Sequence, residues 1–230
     1  MARLAAGRTT ALTADEIVDV ALRQVDDFGL DSLTMGNIAA ELNVSQMALY
    51  RHFDSKGHLL RAMLDRVWNE GMAIGSLPED PIEIMVAGAM SLWQAFARHP
   101  QIGVLLGATP EMGQQAENIA IGVEVVMRQA GFDPEHLGEA YLPISTYMLG
   151  AIALLGSRVA AKGPMAPVTT AEARRGFEAS PSEMGSQILR CMVPTMAEAE
   201  ASYERGLRAL VSGLLADQPA PADRRQSADA

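Results

Sequence analysis

Apolar residues recur three or four positions apart in several segments of the chain, and residues that begin or end helices bound each segment. Thr13 and Glu16 stand in the arrangement of a capping box at the start of the first segment, and Gly29 stands at its end. The spacing within this segment predicts a helix whose buried face carries Ile17, Ala21, Val25 and Phe28.

Residues 34–56, TMGNIAAELNVSQMALYRHFDSK, predict two short helices joined by a tight turn. The hydroxyls of Thr34 and Ser45 can cap these helices, because each can accept a hydrogen bond from an otherwise unpaired backbone N–H. Asn43 tolerates a positive φ and therefore suits the end of the first short helix. The arrangement is typical of a helix-turn-helix that reads DNA, although the same caps would suit any helical hairpin.

Longer apolar patterns after this segment predict a second, larger group of helices. Glycines and prolines between residues 71 and 81 separate the two groups, and Asp80 with Pro81 begins the next helix. We expect helices over 55–71, 81–98, 101–107, 111–130, 135–162, 182–193 and 196–216. The predicted fold is all-α, with a three-helix domain over 13–75 and a larger helical domain over 80–216. We expect a flexible arm at 1–12 and a disordered tail at 217–230.

Composition narrows the classes of function. The single cysteine cannot form an intramolecular disulfide, which fits a reducing cytoplasm. No apolar run is long enough to cross a bilayer without a charge or a proline, and the N-terminus lacks the pattern of a signal peptide, so we expect no membrane association. The four histidines show no ligand spacing with cysteine or carboxylates, and no glycine-rich phosphate loop is present. We therefore expect no metal, no cofactor and no enzymatic activity.

The net charge of −10 is unusual for a nucleic-acid-binding protein. Many acidic residues fall in the first predicted helix, which can face away from DNA. Binding depends on where charges lie relative to phosphates and not on their sum. We therefore expect few phosphate contacts per subunit and a reliance on base contacts and dimerisation.

Several short motifs carry a resemblance to a known family. They are GLDSLT at 29–34, IAAEL at 38–42, VS at 44–45 and ALYRHF at 48–53, followed by Lys56 and by LL at 59–60. This pattern resembles the TetR family of bacterial transcriptional repressors and covers residues 13 to 64. YERGLRAL at 203–210 resembles the C-terminal domains of the tetracycline-repressor type. The chain departs from the family pattern at Gly36 and Asn37, where a basic residue is common, and at His58, where an acidic residue is usual.

The predicted recognition helix spans Gln46 to Phe53. Its first residues, Gln46, Met47 and Ala48, would enter the major groove, because glutamine can bond the edge of adenine and the other two can touch a thymine methyl. The resemblance implies that Tyr50 and Lys56 clamp phosphates and that Thr34 and Ser45 reach the DNA backbone. Tyr50 could instead cover the three-helix core. Arg8 in the arm could enter a minor groove, or the arm could be without consequence.

The resemblance implies that the larger domain binds an effector and forms a homodimer through the 135–162 and 197–216 helices. The last helix would contribute a seam of Leu207, Leu210, Val211, Leu214 and Leu215, unless these residues pack within one chain. An adaptable cavity would be lined by methionines, aromatics and a few polar residues, all of which could alternatively be ordinary core. The predicted lining is Met90, Trp93, Phe96, Met112, Asn118, Met127, Ser145, Thr146, Tyr147 and Met148.

These patterns predict a cytoplasmic, homodimeric transcriptional regulator that represses by binding a palindromic double-stranded DNA operator. A small apolar effector of unknown identity would release it. The alternative is a DNA-binding regulator that a protein partner controls and that has no small-molecule effector. An enzyme with an accessory DNA-binding head is a third reading, which no sequence motif favours.

Overall fold

The computed structural model describes residues 11–107, 114–160 and 194–218, with the backbone alone for 107, 114–118, 159 and 160. Its described residues form helices and turns and contain no strand, so the prediction of an all-α fold is confirmed. Two compact units divide between Trp68 and Asn69. That division falls inside a helix, whereas the glycines and prolines of the sequence suggested a boundary after it.

The described part of the first unit contains three helices and most of a fourth. These are α1 (Ala14–Phe28), α2 (Met35–Glu41), α3 (Gln46–Tyr50) and α4 (Lys56–Met72), with a single 3₁₀ turn at Leu30–Ser32. The predicted capping box at the start of α1 is present, since Thr13 and Glu16 each accept a hydrogen bond from the other's backbone N–H. The core consists of apolar residues with no exposed surface: Ile17, Ala21, Val25, Leu33, Ile38, Leu49, Leu59, Met63 and Val67.

Phe28 departs from the prediction for α1. We expected it on the buried face, but 66% of its surface is exposed. Phe28 is the last residue of α1, and the chain turns away at Gly29, whose φ is 88°. Helical spacing identifies the apolar side of a helix, but it does not reveal whether the core extends to the final turn.

The second unit contains the longer helices α5 (Pro81–Arg98), α7 (Gln114–Gln129), α8 (Leu137–Ala160) and α9 (Met196–Ala216). A short α6 (Pro100–Gly103) and a 3₁₀ turn (Val104–Gly107) follow α5. The predicted start of α5 is confirmed, because the Asp80 carboxylate accepts a hydrogen bond from the Ile82 N–H at 2.7 Å. The predicted helix at 182–193 lies outside the described residues.

α8 is the central helix of this unit and contacts α5, α6 and α9. Its stretch from Leu137 to Arg158 is the one described segment long and apolar enough to cross a membrane by length and composition. The sequence predicted no such span, because Glu139, Pro143 and Arg158 interrupt the stretch. Only 28% of its most apolar window is buried within this chain. A large apolar surface of α8 is therefore left without cover by the described part of its own chain.

Candidate DNA-reading surface and ligand cavity

The turn between α2 and α3 has a well-defined geometry. Asn43 has a φ of 54°, the one positive φ at a non-glycine position among the described residues. Its N–H donates to Ala40 O at 3.2 Å, and the Val44 N–H donates to Ala39 O at 2.9 Å. These two bonds form a Schellman motif, which satisfies the last carbonyls of α2 and reverses the chain sharply. The predicted positive φ at Asn43 is thus confirmed.

Both short helices carry their predicted caps. Thr34 Oγ1 accepts a hydrogen bond from the Asn37 N–H at 3.1 Å, and Ser45 Oγ accepts one from the Ala48 N–H at 3.3 Å. Each hydroxyl keeps its own hydrogen, so a capping residue can still donate to a DNA phosphate. The role of Thr34 and Ser45 in contacting the DNA backbone stays a prediction.

α3 presents one exposed face and one buried face. Gln46 and Lys56 are exposed, Met47 and Tyr50 are 67% and 43% exposed, and Ala48 is half-buried. On the opposite side Leu49 is fully buried, and Phe53 is buried against the edge of the His58 ring at 5.3 Å between ring centroids. Helical structure ends at Tyr50, three residues before the predicted end. The predicted DNA-contact residues of α3 therefore lie on or beside a single solvent-facing surface.

Ion pairs satisfy part of the acidic charge of α1. The Arg66 guanidinium on α4 binds the carboxylates of Asp15 and Asp19, the latter at 2.7 Å. Farther along α1, Arg23 binds Glu41 of α2 at 3.3 Å. These pairs offset negative charge locally on α1 and α2 and leave the net charge of the unit unchanged. Arg8, the predicted minor-groove residue, lies outside the described residues.

A cavity of about 420 Å³ lies in the second unit, between α5, α7, α8 and α9. Among the described lining residues, Tyr141 has the one polar side chain. The Tyr141 hydroxyl is protonated at neutral pH and can donate a hydrogen bond, and burial raises its pKa further above the ordinary value. The lining residues are Met72, Ile74, Leu77, Ile84, Met85, Gly88, Ala89, Leu92, Ile119, Gly122, Val123, Val126, Tyr141, Ile144, Met148, Leu207 and Val211.

A separate, open groove of about 790 Å³ runs between α8 and α9. It has more polar groups than the cavity, including those of Arg158, Ser202 and Arg205. Three of the residues predicted to line a single effector cavity, Trp93, Thr146 and Tyr147, belong to this groove. A third recess, of about 520 Å³, includes Met90.

The residues predicted to line one effector cavity therefore do not lie around a single cavity. Of the eight predicted lining residues whose side chains are described, Met148 alone lies in the apolar cavity. Phe96 and Met127 are at most 1% exposed and are ordinary core, and Ser145 Oγ donates back to Leu142 O at 3.0 Å. Met112 lies outside the described residues, and the side chain of Asn118 is not described. The sequence missed Tyr141, whose only signal was a hydroxyl within the apolar middle of α8.

Three stacked aromatic rings form one wall of the groove. The ring of Tyr203 lies between Trp93, at 5.9 Å, and Tyr147, at 5.6 Å, measured between centroids. The Tyr203 hydroxyl donates to Ala89 O at 3.4 Å, and the Tyr147 hydroxyl donates to the Tyr203 carbonyl at 3.3 Å. Burial is the main cause that raises the pKa of Tyr203 far above its ordinary value. Gly206 makes this stack possible, because a Cβ there would lie 2.1 Å from the Tyr147 hydroxyl oxygen.

Among the described residues, no group of three or more histidine, cysteine or acidic side chains is arranged to hold a metal ion.

Residues 17–63 match the family model described as bacterial regulatory proteins, tetR family. The matched segment includes most of α1, all of α2 and α3, and the first half of α4. It thus contains the exposed face of α3 and the turn that precedes it.

Two relatives extend the similarity beyond that segment. The chain is 32% identical over 149 residues to the HTH-type transcriptional repressor DrrR1 of Streptomyces coeruleorubidus, covering 63% of this chain and 54% of that protein. It therefore spans about half the length of DrrR1. It is 27% identical over 210 residues to the tetracycline repressor protein class A from transposon 1721 of Escherichia coli, covering 89% of this chain and 91% of the relative.

Solved structures share the fold along most of the chain. The transcriptional regulator SCO7222, a TetR from Streptomyces coelicolor, superposes with a TM-score of 0.71 at 21% identity, covering 91% of this chain and all of the other. Other solved structures of this fold include complexes with a double-stranded DNA operator and with small molecules. The relatives named for a function are regulators of transcription.

Proposed function

Because this chain belongs to the TetR family of bacterial regulatory proteins, we propose that it is a homodimeric transcriptional repressor that binds a palindromic DNA operator. A small apolar effector would release it from DNA. We further infer that it acts in the cytoplasm without a cofactor and catalyses no reaction. One observation carries this proposal: the capped α2–turn–α3 unit presents Gln46, Met47 and Tyr50 on one exposed surface.

Direct readout of bases would come from the first turn of α3. Gln46 can pair with the N6 and N7 groups of adenine, and Met47 can pack on a thymine methyl. Tyr50 and Lys56 would bind phosphates, and the free hydrogens of the Thr34 and Ser45 hydroxyls would add two further backbone contacts. Phosphate contacts set affinity and its salt dependence, whereas base contacts set sequence preference. The two groups of residues can therefore be separated by experiment.

Gel-shift titration of two variants tests the assignment of α3. We expect Lys56→Ala to weaken binding to all duplexes alike and to lower the slope of log affinity against log salt by about 1. Gln46→Ala should leave that slope unchanged and lower discrimination at one base pair by about tenfold. Arg128→Ala, which removes an exposed cation from α7, is the matched control and should change neither quantity. Unchanged operator binding in both test variants would show that α3 is not the reading helix.

The uncovered surface of α8 supports a dimer. Leu142 and Leu154 are 67% and 54% exposed on a helix that is apolar enough for a protein interior. They lie about 120° apart around the helix, and a second copy would cover the side that carries Leu154, because two-fold symmetry presents the same side on both subunits. The seam predicted on α9 needs correction, because Leu207 and Val211 are at most 1% exposed and line the apolar cavity of their own chain.

Light scattering of an interface variant tests the dimer. Leu154→Arg should shift the protein towards monomer and weaken operator binding, because it buries an unpaired charge in the interface. Ile121→Arg is the control, since Ile121 is 58% exposed and lies on α7, a different helix from the proposed interface. A dimer that tolerates Leu154→Arg as well as Ile121→Arg would exclude this face of α8.

The cavity supports an effector that is uncharged and mostly apolar. Its volume of about 420 Å³ lies within the range of small-molecule sites, and Tyr141 supplies the single polar group of the described wall. α4 begins with Lys56, a proposed phosphate ligand, and ends with Met72, a residue of the cavity wall. A ligand that favours one position of α4 would therefore shift the population of DNA-binding conformers.

A cavity-filling variant tests the effector. Nothing lies within 4 Å of a Cβ built at Gly122, a lining residue, so the first side-chain carbon of Gly122→Leu meets no atom, and the side chain should occupy part of the cavity. We expect this variant to keep DNA binding but to lose the thermal shift that apolar compounds produce in the wild-type protein. Gly138→Leu, at an equally open position of α8 outside the cavity, should keep that shift. If no apolar compound shifts the wild type and a cellular protein controls DNA binding instead, the partner-controlled alternative replaces the effector.

A further inference from the structure

Gly36 occupies a position whose backbone does not require glycine. The glycines with positive φ in the described part of the chain are Gly29 and Gly131. Gly36 is the second residue of the seven-residue helix α2, where alanine would favour the helix more. The reason for a glycine at this position must therefore lie outside its own backbone conformation.

The space beside Gly36 is occupied by the side chain of Gln46. A Cβ built at Gly36 would lie 3.0 Å from Gln46 Nε2 and 3.9 Å from Gln46 Cδ. The next nearest group is Thr34 Oγ1, the cap of α2, at 3.8 Å. The amide of Gln46 thus lies over the Cα of Gly36, where a side chain of α2 would otherwise project.

This contact restricts a side chain that has few other restraints. Gln46 is the first residue of α3 and is exposed, and a glutamine side chain normally samples many rotamers. Resting against α2 limits the directions in which its amide can point. A side chain that is ordered before binding loses less conformational entropy when it pairs with a base edge.

We propose that Gly36 is a positioning residue for sequence discrimination, because it forms a notch on α2 that holds the Gln46 amide in its base-reading orientation. This inference rests on the proposed function, in which Gln46 pairs with a base. A Cβ at position 36 is closer to Gln46 Nε2 than side-chain contacts normally allow, so the amide must shift by at least a few tenths of an ångström. The absence of a basic residue at this position then has a physical consequence: a possible phosphate contact is replaced by control over a base contact.

The test compares Gly36→Ala with Gly57→Ala. Both positions are the second residue of a helix, but a Cβ at Gly57 meets only Ser55 Oγ, at an ordinary 3.7 Å. Selection from a random-sequence duplex pool first gives the preferred site of the wild-type protein. Affinity is then measured for that site and for single base-pair variants of it, at one salt concentration.

We expect Gly36→Ala to lose about tenfold in discrimination at the same base pair that Gln46→Ala affects. Affinity for unrelated duplexes and the salt slope should stay at wild-type values, which a merely structural defect would not allow. Gly57→Ala should keep full discrimination. The double variant Gly36→Ala/Gln46→Ala should discriminate no worse than Gln46→Ala, since both changes remove the same interaction.

Relaxation of the side-chain amide of Gln46 supplies a readout that does not depend on any variant's folding. In the full-length wild-type protein without DNA, we expect this amide to be more ordered than that of Gln129, an exposed glutamine of α7. Equal mobility of the two amides would overturn the inference. So would full discrimination by Gly36→Ala, or by Gln46→Ala. A wild-type protein that selects no duplex at all would instead refute the proposed function itself.

Discussion

The two units of the chain use their apolar residues differently. In the first unit, short helices with capped ends enclose a filled core of nine fully buried residues that includes Ile38, Leu49 and Met63. In the second unit, long helices border an apolar cavity, whereas more than half-exposed apolar side chains occur in both units, at Phe28 and Met47 in the first and at Leu142 and Leu154 in the second. A filled core holds the exposed face of α3 in one geometry, and unfilled space allows a ligand or a second subunit to add contacts.

The comparison suggests that rigidity and adaptability reside in separate parts of the sequence. A surface that reads bases needs side chains held to within a fraction of an ångström, which the caps at Thr34 and Ser45 and the buried Leu49 provide. Effector binding needs a site whose occupation changes a conformational equilibrium. The following variants probe this contrast, from the largest expected effect to the smallest.

Removing a core side chain should be most costly in the filled unit. We expect Leu49→Ala to lower the free energy of unfolding by about 2–5 kcal/mol, because it leaves a cavity in a fully packed core. Met148→Ala should cost about 1 kcal/mol, because Met148 is half-buried and already borders empty space. Urea denaturation measures both values. Equal losses would remove the distinction between the two units.

The aromatic stack is the place in the second unit where extra volume should be harmful. Gly206→Ala should destabilise the protein by about 1–3 kcal/mol, because its Cβ would displace the Tyr147 ring from Tyr203. Gly213→Ala, on the same helix with no atom within 4 Å of its Cβ, should instead gain up to about 1 kcal/mol from helix propensity. Thermal unfolding measures the stability of both variants. If both were more stable than the wild type, the aromatic stack would accommodate a Cβ at position 206 without strain.

Loss of a cap should have an intermediate effect. Ser45→Ala should lower stability by about 1 kcal/mol, since the Ala48 N–H loses its acceptor. Ser45→Gly should cost only a few tenths of a kcal/mol relative to the wild type, because glycine leaves the unpaired N–H groups at the start of the helix accessible to water. Chemical denaturation followed by circular dichroism gives both numbers. An alanine variant as stable as the wild type would show that the Ser45 hydroxyl contributes nothing as a cap.

The smallest effect concerns pH. Burial, together with the neighbouring Tyr147 and Tyr141, raises the pKa of Tyr203 in the folded protein above the ordinary value of 10.0. The neutral hydroxyl is therefore favoured by folding, so its contribution is complete below pH 10 and is lost as the pH rises above that value. At about pH 10.5 the loss should be no more than about 1 kcal/mol.

Tyr203→Phe isolates this contribution. The variant lacks the hydrogen bond to Ala89 O and should be less stable at neutral pH, but its stability should fall less steeply above pH 10. Denaturation at a series of pH values compares the slopes. Parallel curves for the wild type and the variant would show that Tyr203 does not titrate in this range.

Local chemistry explains which features could be predicted from sequence. The caps at Thr34, Ser45 and Asp80 and the positive φ of Asn43 depend on residues within a few positions of one another, and all four predictions are confirmed. The distribution of the cavity residues could not be foreseen. Helical spacing marks Phe96 and Met148 equally as apolar, but only the packing of four helices decides which of them borders empty space.

The contacts of two glycines with distant residues show the same limit of prediction from sequence. Neither Gly36 beside Gln46 nor Gly206 beside Tyr147 has a sequence signal, because each contact joins separate helices. At Gly36 the sequence indicated only the loss of a basic residue. The structure shows that the side chain of Gln46 occupies the space beside Gly36.

Selection of duplexes from a random-sequence pool by the full-length protein tests the central claim most directly. If α3 reads base edges and two copies bind together, the enriched sequence should be a palindrome with half-site centres about 34–36 Å apart, or a multiple of that distance. Light scattering should find two protein chains on each selected duplex. A pool that stays random at low salt, or a single asymmetric half-site bound by one chain, would contradict the account.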